Sequence, residues 1–149
     1  VSRDVLIPRS PFAELIEKGL MPWLGERDPQ RALDLCTGSG CIGIALAAHF
    51  PGLAVDLVDV SESALAIARQ NIADHGLDER VRAHHSDAFA ALAGEQYDLI
   101  LSNPPYVGQE EYAALPAEFS HEPALALISG QDGLDLPLRI LADAPAHLS

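Results

Sequence analysis

From residue 31 onward, short apolar runs alternate with longer segments of helical periodicity, and few architectures accept that order. Arg31 to Cys36 (RALDLC) reads as a buried strand, and Cys41 to Phe50 as an alanine-rich helix halted by Pro51-Gly52. Ala54 to Val60 (AVDLVDV) reads as a second strand. A helix capped by Ser61 or Ser63 then runs to His75 and stops at Gly76. Val81 to His85 and Tyr97 to Ser102 (YDLILS) supply a third and a fourth strand. Leu134 to Asp143 forms a last helix, with Pro137 tolerated in its first turn. Ahead of these, Val1 to Pro11 is extended and Gly25 to Gln30 is a loop. Between them Phe12, Leu15, Ile16, Leu20 and Trp23 recur at helical spacing over Pro11 to Glu26. Strands alternating with helices build right-handed βαβ units, so the expected fold is α/β, a mostly parallel sheet with helices on both faces. Ligands of such sheets bind beyond the carboxyl ends of the strands.

The 149 residues suffice for one core. Residues 1–29 are expected as an extended lead and a helix joined to a core over 30–149. The formal charge is −13, and the nine Lys and Arg residues are scattered among 22 acids. A nucleic-acid surface needs a basic stripe, so no direct nucleic-acid contact is expected, and a basic protein partner suits this field better. No apolar run approaches the roughly 20 residues of a membrane span, and no leader is evident, so a cytoplasmic location is expected. Cys36 and Cys41 lie five apart, which is not a zinc spacing, and read as packing residues. His84 and His85 are adjacent on a strand, point to opposite faces and cannot chelate together; no metal is expected.

The first strand runs into Asp34-Leu35-Cys36-Thr37-Gly38-Ser39-Gly40, and a helix starts at once. Glycines there let the backbone turn tightly and approach a ligand, with the helix N-terminus behind them. Asp59 ends the second strand about 20 positions on, where an acid can accept both hydroxyls of a ribose. A third acid ends the next strand in Ser86-Asp87-Ala88-Phe89, where a carboxylate can accept from an adenine amino group while Phe89 lines the ring. Loop glycines and two acids at three strand ends make a nucleoside site. The register Gly38-x-Gly40-x-x-Gly43 equally matches a dinucleotide loop, so the fourth strand end has to decide.

That strand ends in Ser102-Asn103-Pro104-Pro105-Tyr106. Asn103 and Pro104 each precede a proline and are pushed into extended conformations. Neither proline has an N–H, so the stretch offers carbonyl acceptors without competing donors. The Asn103 side-chain oxygen and the Pro104 carbonyl could grip both hydrogens of a planar –NH₂, with Tyr106 stacked on its π-face. An amide nitrogen is a poor nucleophile because its lone pair is delocalised. Two acceptors push density back onto nitrogen and aim the lone pair, so that positioning and electrostatics carry the transfer of a sulfonium methyl group. Such a reaction needs no metal and no covalent enzyme intermediate.

The glycine loop followed by Asn103-Pro104-Pro105-Tyr106 resembles the HemK-type protein glutamine methyltransferases over essentially the whole chain. The resemblance implies a Rossmann-like class I methyltransferase core that uses S-adenosyl-L-methionine. It places Asp34, Thr37, Gly38, Gly40, Asp59, Asp87, Ala88 and Asn103 at the cofactor, and Asn103 to Tyr106 at the substrate glutamine. Cys36, Val5-Leu6-Ile7-Pro8-Arg9-Ser10-Pro11 and Leu115-Pro116-x-Glu118-Phe119-x-His121-Glu122-Pro123 are similar to the PrmB branch, which methylates a glutamine of large-subunit ribosomal protein L three. The other branch acts on peptide release factors. Glu118, Phe119, His121 and Glu122 either shape the substrate side or tie down a loop.

The family also carries an N-terminal helical substrate domain and a seven-stranded sheet. The sequence is therefore expected to be truncated after its fourth strand, to expose an apolar edge prone to self-association, and to turn over poorly. Two other readings of the tetrapeptide stay open: an amino-methyltransferase for an exocyclic amine of DNA or RNA, and an inactive fragment that keeps the fold.

Overall fold

The computed structural model describes residues 11–113 and 127–149. Four strands, β1 (Arg31–Leu35), β2 (Ala54–Asp59), β3 (Val81–His85) and β4 (Leu99–Ser102), form one sheet in the order β3-β2-β1-β4 with every pairing parallel. Among the described residues the helices are α1 (Phe12–Glu17), α2 (Met21–Leu24), α3 (Cys41–His49), α4 (Glu62–Asp74), α5 (Gln109–Ala113) and α6 (Asp135–Asp143), and a 3-10 turn occupies Ala144–His147. Val5 to Ser10 and Leu115 to Pro123 lie outside the described residues.

The two faces of the sheet are chemically unlike. Ala32, Val55, Leu57, Val81 and Leu101 pack with α1, α3 and α4 into one apolar layer that includes Ile16, Leu46 and Ile72. On the other face Leu33, Leu35 and Val58 meet Ile140 of α6 together with Phe89, Leu92 and Tyr97. That layer is apolar only near the carboxyl ends of the strands. Toward their starts Asp56 accepts from Arg31 (3.2 Å) and the Tyr97 hydroxyl (3.0 Å) and pairs with His84 Nε2 (2.9 Å). Burial pushes the Tyr97 hydroxyl well above its ordinary range. The strand alternation thus sends His84 to this network and His85 to the opposite face, where its Nε2 lies 2.9 Å from the Val60 carbonyl oxygen.

Three expectations are corrected. The single helix over Pro11 to Glu26 is two, because Gly19 and Leu20 turn left-handed (φ 67° and 51°) and Pro22 has no N–H to continue the ladder. The phase is lost with it, so Trp23 is exposed rather than part of the buried stripe. The fourth strand begins at Leu99, not Tyr97; Tyr97 instead bridges in parallel to Leu148. Ser61 caps α4 as expected, accepting from Ala64 N–H at 3.3 Å.

The entrance to β1 is fixed by Asp98, whose Oδ2 accepts from the N–H groups of Gln30 (2.8 Å) and Arg31 (2.9 Å). These two bonds hold its carboxyl below the ordinary range. An acid depressed on folding stabilises above its unfolded pKa of about 3.9 and loses that contribution as pH falls through the folded value. Asp98→Asn should therefore cost about 1 kcal/mol at neutral pH in urea unfolding, and the difference from wild type should shrink below about pH 4.

Candidate active site

The loop that leaves β1 is organised by a side chain it covers. Asp34 is fully buried, and its Oδ2 accepts from Thr37 Oγ1 at 2.6 Å and from the Gly43 N–H at 2.9 Å. One oxygen therefore joins the strand, the loop and the first turn of α3. Its Oδ1 is buried with no partner among the described residues. Burial raises the carboxyl to about 6, against the opposing pull of the Thr37 and Gly43 bonds. Asp34 and Thr37 were expected at the cofactor; the structure buries both side chains beneath the loop. Ala32 and Asp34 share the face that α3 covers, and Thr37, 4% exposed, spends its hydroxyl on Asp34. Both shape the loop from inside.

The loop turns through left-handed residues at Cys36 (φ 58°), Gly38 (φ 57°) and Gly40 (φ 82°). The two glycines differ in use. A Cβ on Gly40 would press on Leu57, Ile44 and Ala68, so this residue is packed beneath the helices. A Cβ on Gly38 would meet nothing within 4 Å, so space is open above it. Gly38 N–H donates to Asp59 Oδ2 at 2.9 Å, and Ser61 N–H to Asp59 Oδ1 at 2.9 Å. Asp59 thus locks the loop to the end of β2 while each oxygen keeps a further lone pair. Val60 beside it is 46% exposed, an apolar surface at the same strand end.

After β3, Asp87 is exposed and held by the guanidinium of Arg139 from α6, with Nη1 3.1 Å from Oδ2 and Nη2 on Oδ1. Ala88, also expected at the cofactor, is left-handed (φ 46°) and buried at this strand end. Phe89, expected to line an adenine, is turned into the α6 layer and stacks on His147 with ring centres 4.5 Å apart. The apolar demand of that half-covered sheet face outweighs the pull of the crevice.

The β1–β4 register pairs Leu35 with Ser102, and Ser102 Oγ donates to the Leu35 carbonyl at 2.9 Å. Asn103 to Tyr106 therefore leave the sheet beside the glycine loop. Asn103, Pro104 and Pro105 are half-buried, and Tyr106 is 68% exposed. Among the described residues the Asn103 carboxamide makes no hydrogen bond. The site thus gathers Gly38, Asp59, Asp87 and Asn103 to Tyr106 at neighbouring strand ends. Sequence reasoning passed over Arg139 and the segment Ser129-Gly130-x-x-Gly133; its glycine spacing ahead of a helix was the available signal.

The open space over Gly38, the spare lone pairs of Asp59 and the strand-end carboxylate of Asp87 fit a nucleoside cofactor, whereas Asp34 fits none. An acid raised on folding has the opposite linkage to Asp98. Its contribution is complete below about pH 3.9 and is lost as pH rises through about 6. Stability should fall over that window by an amount on the order of 3 kcal/mol, at 1.36 kcal/mol per pH unit. Asp34→Asn, followed by thermal unfolding from pH 4 to 7, should remove the slope.

Residues 17–130 match the model of the family described as Methyltransferase small domain. The ribosomal protein uL3 glutamine methyltransferase of Xanthomonas campestris is 59% identical over 144 residues, 97% of this chain and 46% of that protein. The protein of the same name from Bordetella pertussis is 53% identical over 152 residues, 100% of this chain and 50% of that protein. The chain spans about half the length of the curated relatives it matches. Among solved structures, the hMettl16 catalytic domain in complex with MAT2A 3'UTR hairpin 1 aligns with a TM-score of 0.77 at 19% identity. That alignment covers 98% of this chain and 56% of the other, and shows the fold. TrmN from Thermus thermophilus aligns at 0.62 and 27% identity, over 95% of this chain and 39% of the other. The family match runs through the glycine loop, both strand-end acids and the tetrapeptide, and the chain belongs to the Methyltransferase small domain family.

Proposed function

We propose that this chain carries the catalytic core of an S-adenosylmethionine-dependent methyltransferase that modifies a glutamine side-chain nitrogen in a ribosomal protein of the uL3 kind. The observation that carries the reading is the Leu35–Ser102 register, from which Asn103 and Pro104 leave the sheet beside the open glycine loop. The names of relatives 53–59% identical over nearly the whole chain support the substrate. A net charge of −13 suits a basic ribosomal partner and disfavours a nucleic acid. A ribosomal substrate also assigns the reaction to the cytoplasm.

Gly38 gives the cofactor backbone access, and Asp59 accepts from its ribose hydroxyls with the lone pairs left by the Gly38 and Ser61 bonds. Asp87 accepts from the adenine amino group. When bound, the cofactor supplies an electrophilic methyl group. Asn103 Oδ1 and the Pro104 carbonyl accept hydrogen bonds from the two amide hydrogens and hold the nitrogen flat; as the nitrogen gains the methyl group it releases one of those protons to solvent. Tyr106 covers the amide plane, and the exposure of its ring supports that role. Rate then comes from orientation and from acceptors aimed at charge that develops on the amide.

Incubation with labelled S-adenosylmethionine, ribosomal proteins and release factors should place the label on a glutamine of uL3. Label on RNA, or on no substrate while the cofactor still binds, would overturn the reading. Asn103→Ala should lower transfer at saturating cofactor about 100-fold or more, with a much smaller change in cofactor affinity. Asp59→Asn should do the reverse, weakening cofactor binding in calorimetry by about 10- to 100-fold.

A further inference from the structure

The tetrapeptide does not end freely after Tyr106. Val107 bridges in parallel to Ile128; its N–H donates to the Leu127 carbonyl at 2.8 Å and its carbonyl accepts from Ser129 N–H at 3.0 Å. Gln109 N–H donates to the Gly130 carbonyl at 3.3 Å. Backbone therefore lies on backbone, and only glycine fits at the closest points. A Cβ on Gly133, which is left-handed at φ 82°, would stand 2.1 Å from the Tyr106 carbonyl oxygen. A Cβ on Gly108 would stand 2.4 Å from the Gln131 carbonyl oxygen. The Tyr106 carbonyl is thus packed against the backbone at Gly133.

The same segment continues without a break into α6. Ser129, itself buried, accepts Leu136 N–H on its hydroxyl at 2.8 Å and so seats the start of that helix. One turn further on, Arg139 reaches Asp87 with both guanidinium nitrogens. A fork of this kind fills one lone pair on each carboxylate oxygen, fixes the plane of the group and leaves the outer lone pairs for a further donor.

We propose that Ser129 to Arg139 act as one positioning clasp, with Gly133 seating the amide-holding tetrapeptide and Arg139 orienting the cofactor acid Asp87. Neither residue touches reacting atoms. The clasp sets the distance between the two halves of the site by joining the substrate loop to the cofactor loop through a segment with little slack. It rests on the roles assigned above to Asn103–Tyr106 and Asp87.

The test uses the full-length protein with Gly133→Ala and, as a second variant on an exposed side chain that leaves the core untouched, Arg139→Gln. At saturating cofactor, Gly133→Ala should lower kcat for glutamine methylation about 10- to 100-fold, the effect of displacing a reacting group by about an ångström. Its cofactor affinity in calorimetry should stay within about 2-fold of wild type, because the glycine loop is untouched. Its Val107 and Gln109 amide resonances should move while Gly38, bonded to Asp59, stays. Arg139→Gln should weaken cofactor binding about 2- to 5-fold, the range of an exposed ion pair. It should also abolish the response of the Val107 amide to added cofactor that wild type shows. Unchanged turnover and unchanged Val107 and Gln109 resonances in Gly133→Ala would overturn the clasp, as would an unaltered Val107 response in Arg139→Gln. A wild-type protein that binds cofactor but methylates no glutamine would instead defeat the proposed function, and the resonances alone would then decide the clasp.

Discussion

One buried oxygen, Asp34 Oδ2, fixes the turn from which the rest of the site is measured. It receives a hydroxyl from the loop and an N–H from the first turn of α3. Placing a carboxylate in an apolar layer is unfavourable by several kcal/mol unless its lone pairs are used. Here only one oxygen is used, and the remainder of the penalty appears as a raised pKa. The return is geometric. With the loop held from within, Gly38 can face open space and give its N–H to Asp59, so that β1 and β2 present their ends together.

The remaining strand ends are placed by the sheet. Parallel register aligns Leu35 with both Val58 and Ser102, so the loop, Asp59 and the tetrapeptide follow from one row of pairs. Side-chain bonds reinforce the row instead of creating it; Ser102 on the Leu35 carbonyl is the clearest case. The polar network around Asp56 centres on the row of Leu33, two residues back from the row that meets the crevice. It lets one face of a parallel sheet carry charged residues without disturbing the crevice.

The alternation of apolar runs and helical segments was enough to read the four strands, their helices and their common direction, because side-chain period reports burial directly. Gly38, Asp59, Asp87 and Asn103 to Tyr106 were legible as a group because each sits at a strand end, a position that sequence order alone defines. Whether Asp34, Thr37, Ala88 and Phe89 point into the crevice or into a core depends on which face a helix covers, and local sequence does not contain that. Gly19 and Pro22 break the first helix, a stop that the apolar spacing across them does not show. Gly133 and Arg139 act through partners 27 and 52 residues away, at Tyr106 and Asp87, and no local pattern announces such distances.

The two strand-end acids are held in unlike ways. Asp59 is fixed by the backbone N–H groups of Gly38 and Ser61, whereas Asp87 is held by the exposed guanidinium of Arg139. Dissolved salt screens an exposed ion pair far more than a bond to a backbone N–H. The end of β2 therefore keeps its shape at any ionic strength, while the end of β3 answers to the ions around it.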